Sequence, residues 1–200
     1  MKIDLQIIDT ATARLIKLKA GLSEKARADL MERLGQRTVE FLKDHFQQRE
    51  MRGNKRGWPS QHTWAQIADA TRLGEVTDDT ATIRIPSRIL AHKITGGTVR
   101  PGPGKRYLAI PLRAAAYGKS PGGGQVPGLF FLRTKAGRQY LMRKGATRGP
   151  RKAALSPWYR LVTSVTHKPD PQALPSFAPL RATLSARVNA WAEQLSKAEG

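Results

Sequence analysis

The spacing of apolar residues predicts amphipathic helices near both ends of the chain. Ser23 stands in the N-cap position of a helix that we expect to run to about Arg49. Its apolar stripe consists of Ala26, Leu30, Leu34, Phe41, Leu42 and Phe46. The closing helix has its own stripe, formed by Leu180, Leu184, Val188, Trp191 and Leu195. Stripes of this kind are typical of helices that pack one face into a core.

Between these helices the apolar residues change to a period of two, which is typical of strands. The first such run begins at Thr80, where Ala81, Ile83 and Ile85 alternate with polar residues. The further predicted strands are Ile89–Ile94, Tyr107–Leu112 and Trp158–Thr166. Leu129–Leu132 and Gln139–Met142 predict a hairpin in which Gly137 supplies the positive φ of the turn.

Weaker signals fill the remaining segments. Ile3, Leu5 and Ile7 alternate as in a short strand, a helical pattern begins at Thr10, and a short helix is expected around Thr63–Thr71. Four prolines predict that Lys168–Pro179 is extended. The glycines of Gly118–Gly128 predict a mobile loop with almost no side chains to pack.

Helix, strands and helix in this order predict an α+β fold, in which the long N-terminal helix and the C-terminal helix pack on one face of an antiparallel sheet. A length of 200 residues, 40% of them hydrophobic, suits a single globular domain over 1–200. Within it we distinguish a helical region (1–50), a basic β region (80–166) and a closing helix (179–198).

Charge changes this picture more than composition does. The formal net charge is +20, and between Asp79 and Asp170 there are eighteen Lys or Arg and no carboxylate. Because such a segment repels itself, we expect it to face a negative partner. Nucleic acid, an acidic protein surface and lipid headgroups all meet that description, and charge alone does not choose between them.

Two loops concentrate the cations and are candidate polyanion contacts that touch phosphate without reading bases. The first carries Arg100, Lys105 and Arg106, and the second carries Arg143, Lys144, Arg148, Arg151 and Lys152. The nearby aromatic residues lie in strand patterns, so core packing is favoured over base stacking for Tyr107, Phe130, Phe131 and Tyr140. A basic recognition helix is not visible, which argues against sequence-specific DNA binding.

Catalytic chemistry finds little support in the sequence. The chain has no cysteine, and its four histidines stand far apart with no metal-ligand spacing. Gly118-Lys119-Ser120 resembles the end of a phosphate-binding loop, but the first glycine of that motif would fall at Arg113. We therefore expect neither an enzyme nor a cofactor or metal site. No apolar stretch approaches the length of a membrane span, so a membrane partner is not expected.

Two segments resemble the tail-completion or virion-morphogenesis proteins of tailed bacteriophages and prophages. One is Ile89–Pro101, with Gly96-Gly97-Thr98-Val99 at its centre, followed by Tyr107–Leu112. The other is Leu161–Pro175. The long helix that ends near Phe46 and the following Gly57-Trp58 also agree with this family in order.

The motif residues that carry the resemblance are His92, Gly96, Gly97, Thr98, Arg100, Pro101 and Pro111. Their chemistry suits a structural role, since the two glycines permit a tight turn or bulge and the prolines stiffen the loop that follows. We interpret these residues first as fold residues of a hairpin corner and only second as partner contacts. His92 is expected to be a packed strand residue without proton chemistry.

The resemblance implies a structural assembly protein that acts in tail completion or head–tail joining as a closed homo-oligomeric ring. Its implied partners are other virion proteins, namely the neck, tail tube or tail terminator, and its implied location is the virion, or the host cytoplasm during assembly. Non-specific DNA contact in the ring lumen would then use the basic segment. Two alternatives stay open: a free, sequence-independent nucleic-acid-binding protein, and an assembly chaperone absent from the finished particle.

Overall fold

A computed structural model describes residues 23–54, 56–145 and 154–197, and these form an α+β protein, as the sequence predicted. The helices are α1 (Glu24–Met51), α2 (Thr63–Ala70), α3 (Arg88–Thr95) and α4 (Ala178–Lys197). The strands are β1 (Arg72–Val76), β2 (Ala81–Arg84), β3 (Gly97–Val99), β4 (Leu108–Pro111), β5 (Leu129–Arg133), β6 (Gln139–Lys144), β7 (Leu155–Val162) and β8 (Val165–His167). The expectations for Ile3–Ile7 and for the helical pattern from Thr10 lie outside the described residues.

The chain divides into two compact units. Unit 1 comprises residues 1–48, 64–87 and 174–200, and unit 2 comprises residues 49–63 and 88–173. The expected single sheet is three antiparallel sheets in the described residues: β1–β2 in unit 1, and β3–β8 and the four-stranded β4–β7–β6–β5 in unit 2. The long helix and the closing helix are both present.

In unit 1 the long helix begins where its N-cap predicts. The backbone N–H of Ala26 donates to the Ser23 side chain at 3.3 Å, which satisfies one free donor of the first turn. The buried residues on α1 are Leu30, Gly35, Val39, Leu42 and Phe46, so Val39 joins the predicted stripe. Phe46 also stacks on Trp64 of α2, with ring centroids 6.1 Å apart. The helix therefore buries one face, as its apolar spacing predicted.

The chain enters α4 earlier than the prolines suggested. Lys168–Ser176 is not helical, as expected, but the helix begins at Ala178 and contains Pro179. Proline is tolerated in the first helical turn because its missing N–H would have no partner there. Leu180 is buried, whereas Leu184, Val188, Trp191 and Leu195 are half-buried.

The predicted strand Ile89–Ile94 is wrong, because this segment forms the helix α3 in unit 2. A six-residue run of apolar and polar residues fits either period, so periodicity alone does not decide its structure. Its boundaries decide instead: Pro86 precedes the helix, and Gly96 ends it with φ +68°, its N–H donating to the carbonyl of His92 at 2.8 Å.

The predicted strand Trp158–Thr166 is also corrected, because it is two strands of different sheets. β7 lies between β4 and β6, with Tyr159 opposite both Pro111 and Leu141. After the break at Thr163 and Ser164, β8 pairs with β3 instead. Because the residues on both sides of this break alternate as in a strand, a prediction from alternation alone does not detect the break.

Tyr159 is the centre of the unit 2 core and is 1% exposed. It packs with Ala116 and Val126, and the partly buried residues around this group are Ala109, Leu129, Leu141 and Trp158. Val126 belongs to the glycine-rich segment that was predicted to have almost no side chains to pack. That prediction is wrong at this residue, which is only 5% exposed.

Candidate polyanion-binding surface and motif corner

The positive charge of the protein belongs almost entirely to unit 2. Its sequence contains 21 Lys or Arg and two carboxylates, a formal net charge of +19, whereas unit 1 contains 14 and 13. Unit 1 is thus close to neutral, with both signs mixed as on an ordinary protein surface. Unit 2 has the composition of a surface that meets a polyanion.

Both carboxylates of unit 2 already have partners within it. Asp170 forms an ion pair with Arg49, whose guanidinium also donates to the Gln172 side chain at 3.0 Å. Glu50 accepts a hydrogen bond from the Ser60 hydroxyl and lies 3.7 Å from the ring of His62. Neither carboxylate is therefore available to neutralise the exposed cations of the sheet.

The environment of Asp170 favours its charged form. Burial opposes ionisation, but the Gln172 backbone N–H and the positive charges of Arg49 and Lys93 outweigh burial, so the pKa of Asp170 is lowered. The backbone N–H of Asp170 donates in turn to the carbonyl of Lys93 at 2.8 Å. This backbone hydrogen bond ties the segment after β8 to α3, while the carboxylate ties it to Arg49 at the end of α1.

The described residues of the two predicted cation clusters lie at opposite ends of the four-stranded sheet. Arg106 precedes β4, which meets the end of β7 at Val162, while Lys144 pairs with Leu155 at the start of β7. An eight-residue strand separates these ends by roughly 20 Å. The structure therefore shows two separate basic sites rather than one.

The first site is a solvent-exposed loop. Arg100, Lys105 and Arg106 are all exposed, and the loop turns where the Lys105 N–H donates to the carbonyl of Gly102 at 3.1 Å. The β5–β6 turn, whose last residues precede Gln139, lies at this same end of the sheet because Gln139 pairs with Leu161. The two candidate clusters left out exposed cations at this end of the sheet, namely Arg133 at the end of β5 and Lys135 and Arg138 in the turn.

The second site lies where β6 ends. The guanidinium of Arg143 lies over the Trp158 ring, 4.9 Å from its centroid, and Lys144 is exposed beside it. An open cleft of about 450 Å³ is lined here by Pro127, Gly128, Leu129, Phe130, Arg143 and Lys144. The remaining candidates of this cluster, Arg148, Arg151 and Lys152, lie outside the described residues.

One aromatic residue departs from the expected core packing. Tyr107, Phe130 and Tyr140 are partly buried, but Phe131 on the edge strand β5 is 54% exposed. A strand pattern shows which residues share a face, but it does not show which strand lies at the edge of the sheet. The expectation of core packing is therefore wrong for Phe131.

The segments that carry the phage resemblance meet in one corner of unit 2. β3 pairs with β8 so that Gly97, Thr98 and Val99 oppose His167, Thr166 and Val165. The hydroxyls of Thr98 and Thr166 lie 2.8 Å apart, and the rings of His92 and His167 meet edge to face at 5.3 Å. We call this the motif corner: residues 92–99 and 165–170.

The motif corner corrects two expectations. His92 lies on a helix rather than a strand, and Gly96-Gly97 connects α3 to β3 rather than two strands of a hairpin. A Cβ atom on Gly96 would lie 2.7 Å from the carbonyl oxygen of His167 and 2.8 Å from Cδ of Pro169. The fold itself thus requires glycine here. Of the other motif residues, Arg100 and Pro101 follow β3, and Pro111 ends the edge strand β4.

The described residues also bear on other kinds of site. They contain no group of three or more His, Asp or Glu that could hold a metal ion. Within the same ranges, no helix is long and apolar enough to cross a membrane. No family model matches the chain, and no curated protein or solved structure is significantly similar to it.

Proposed function

We propose that the protein is a structural assembly component of a phage or prophage particle, acting in tail completion or head–tail joining through ring-type contacts between copies. One observation carries the proposal: the two segments that resemble this family pair with each other in the motif corner. The paired strands β3 and β8 are separated by more than sixty residues in sequence (100–164), so a chance likeness of two unrelated segments would not require their contact.

Local packing gives further support. Gly57 has a left-handed φ of +62°, and the adjacent Trp58 packs edge to face on Tyr117 at 5.3 Å. The Gly-Trp element therefore has a defined place in unit 2. Under this proposal the protein works by surface complementarity and its partners are other virion proteins of the neck, tail tube or tail terminator. A ring requires that two different faces of neighbouring copies meet and that the rotation closes.

The test is electron microscopy of lysates from the parent phage or prophage with the gene inactivated. We expect DNA-filled heads beside unattached tails or tails of abnormal length, with normal particles restored by the gene supplied in trans. Particles that assemble normally without the gene would contradict the proposal. Probing purified particles with an antibody separates a virion component from an assembly chaperone, since only the former remains bound.

A second candidate function is favoured by a different observation, the concentration of charge in unit 2. A unit with a formal net charge of +19 and with both carboxylates engaged suits sequence-independent contact with nucleic acid, either free or in the lumen of a ring. With about six phosphate contacts, affinity should fall roughly a thousandfold between about 50 and 200 mM salt. Measuring the binding of a random-sequence duplex across that range tests this function. Salt-insensitive or absent binding would leave an acidic protein as the partner.

A further inference from the structure

At its β5 edge, one face of the four-stranded sheet combines an exposed aromatic ring with guanidinium groups, whereas the same face is covered at Tyr159 nearer its centre. The register of β5 and β6 places Leu129 opposite Arg143, Phe131 opposite Leu141 and Arg133 opposite Gln139. Because opposite residues share a face, Phe131, Arg133 and Arg143 all belong to the same side of the sheet. The Cα atom of Arg133 lies about 7 Å from that of Phe131 along the strand. The Cα atom of Arg143 lies about 7–8 Å from that of Phe131, diagonally across the strand pair.

The guanidinium of Arg143 is held in place by the indole beneath it. Its central carbon lies 4.9 Å from the centroid of Trp158, a distance at which cation–π attraction is effective. A cation–π contact does not consume the N–H donors of the guanidinium, so these donors can also bind an anion. Such a preorganised fork suits a phosphate oxygen pair better than a mobile lysine would.

The cleft at the base of β5 extends this face. It has a volume of about 450 Å³ and is lined by Pro127, Gly128, Leu129, Phe130, Arg143 and Lys144. Gly128 has φ +75° and nothing within 4 Å of where a Cβ atom would stand, so the backbone here is open to close approach. A chain of phosphates that crosses β5 would have cations on both sides of Phe131.

The positive charge of this face and the exposed ring of Phe131 together decide which class of ligand fits it. A second copy of unit 2 is repelled, because both surfaces would be strongly positive. A duplex or a sulfated polysaccharide satisfies the cations but leaves Phe131 without a partner, since neither offers an unstacked base. Single-stranded nucleic acid supplies both the phosphates and the exposed π faces on which an aromatic side chain stacks.

We propose that this face binds single-stranded nucleic acid, with a base stacked on Phe131 and the flanking phosphates bound by Arg133 and Arg143. The proposal rests on the polyanion contact given above as the second candidate function and names its ligand class. Among the described aromatic residues of this sheet, Phe131 has the most exposed ring, and the proposal gives that ring a function. Stacking makes the contact tolerant of sequence, because every base has a π face.

The experiment measures binding of the full chain to fluorescein-labelled oligothymidylate by anisotropy, with unlabelled heparin binding measured in parallel by calorimetry. Phe131→Ala should weaken oligothymidylate binding by about tenfold, within the range measured for single stacked bases, and should leave heparin binding unchanged. Phe131→Tyr should restore the affinity. The matched control is Leu155→Ala, because Leu155 is 52% exposed but lies on the opposite face of the sheet.

Arg133→Gln separates charge from stacking. It should weaken both ligands and lower the salt dependence by about one phosphate contact. Equal losses for both ligands in Phe131→Ala, or no loss for either, would overturn the stacking proposal while leaving the polyanion contact intact. Absence of binding to both ligands by the unaltered protein would reject the polyanion contact and the proposal together.

Discussion

The carbonyl oxygen of His167 occupies the space that a side chain on Gly96 would need. The two residues are 71 positions apart in sequence, yet only 2.7 Å separates that oxygen from the position of a Cβ atom on Gly96. Gly96 also has a left-handed φ of +68°. Two independent restraints, conformation and space, therefore select glycine where α3 ends and β3 begins.

Gly96→Ala should lower the free energy of unfolding by about 3 kcal/mol, because it combines left-handed strain with a clash against rigid backbone. Gly104→Ala is the matched control, since Gly104 has φ +74° but nothing within 4 Å of its Cβ position. The control should cost only about 1 kcal/mol. Chemical denaturation of both variants measures the difference. Equal losses would show that the contact with His167 relaxes and contributes nothing.

The prediction of the fold from sequence succeeded where a local signal agreed with the long-range arrangement. The cap at Ser23 and the turn glycine of the β5–β6 hairpin both have the predicted role, with Gly137 at φ +75°. It failed for α3 because a run of six apolar and polar residues fits either period, and the deciding feature was the glycine after it. The separation of β7 from β8 depends on pairing with β3, which no local pattern contains.

The candidate surface shows the same limit. The sequence located the cations in two loops, but it did not give the distance between Lys144 and Arg106. That distance depends on strand order, which decides which loops share an end of a sheet. It also placed Phe131 in a core, although an edge strand exposes it. Alternation gives the faces of a strand. The neighbours that cover each face follow only from the topology.

Tyr159→Phe should destabilise the protein by about 1–2 kcal/mol although it removes one atom. The hydroxyl donates toward the carbonyls of Ala116 and Lys119, each 3.1 Å away, and so holds the start of the glycine-rich segment. Without it, the carbonyl of Ala116 loses a buried hydrogen-bond donor and that of Lys119 loses a partly buried one. Hydrogen exchange should become faster between residues 116 and 126 while β1 and β2 are unaffected. Unchanged exchange in that segment would contradict this role.

Ionisation of the same hydroxyl should lower the stability of the folded protein at alkaline pH. Burial raises the pKa of Tyr159 above its ordinary value of about 10. The folded state then holds the proton more tightly than the unfolded state does. The hydroxyl therefore contributes to the free energy of unfolding below about pH 10, and this contribution decreases as the pH rises through the folded pKa. Tyr159→Phe should lack that decrease. Comparing the two unfolding curves at neutral and alkaline pH tests the difference.

Asp170→Asn should cost about 1–2 kcal/mol at neutral pH, since the partly buried guanidinium of Arg49 would lose its charged partner. The pKa of Asp170 is lowered in the folded protein, so its contribution is present above the unfolded pKa of about 4 and is lost as the pH falls through the folded value. The stability gap between the two proteins should therefore close in acid. The control is Glu40→Gln, which removes an exposed pair with Arg37 and should cost under about 0.5 kcal/mol.

Gly35→Ala should destabilise unit 1 although alanine is the better helix former. In an exposed helix the change would gain about 1 kcal/mol. On α1, however, the new Cβ atom would lie 2.5 Å from Cδ1 of Leu73 and 3.0 Å from Cβ of Ala81, where the helix lies against β1 and β2. Overpacking of this kind costs about 1–3 kcal/mol, so the clash outweighs the gain.

A double-mutant cycle with Leu73→Ala isolates that contact. Leu73→Ala alone should destabilise by creating space beside the helix, and Gly35→Ala added to it should be neutral or stabilising, because the methyl group then fills the space. The coupling free energy should exceed about 1 kcal/mol. Additive effects would mean that the clash is with Ala81 rather than Leu73. Substituting Ala81 by glycine in the Gly35→Ala background would then restore stability.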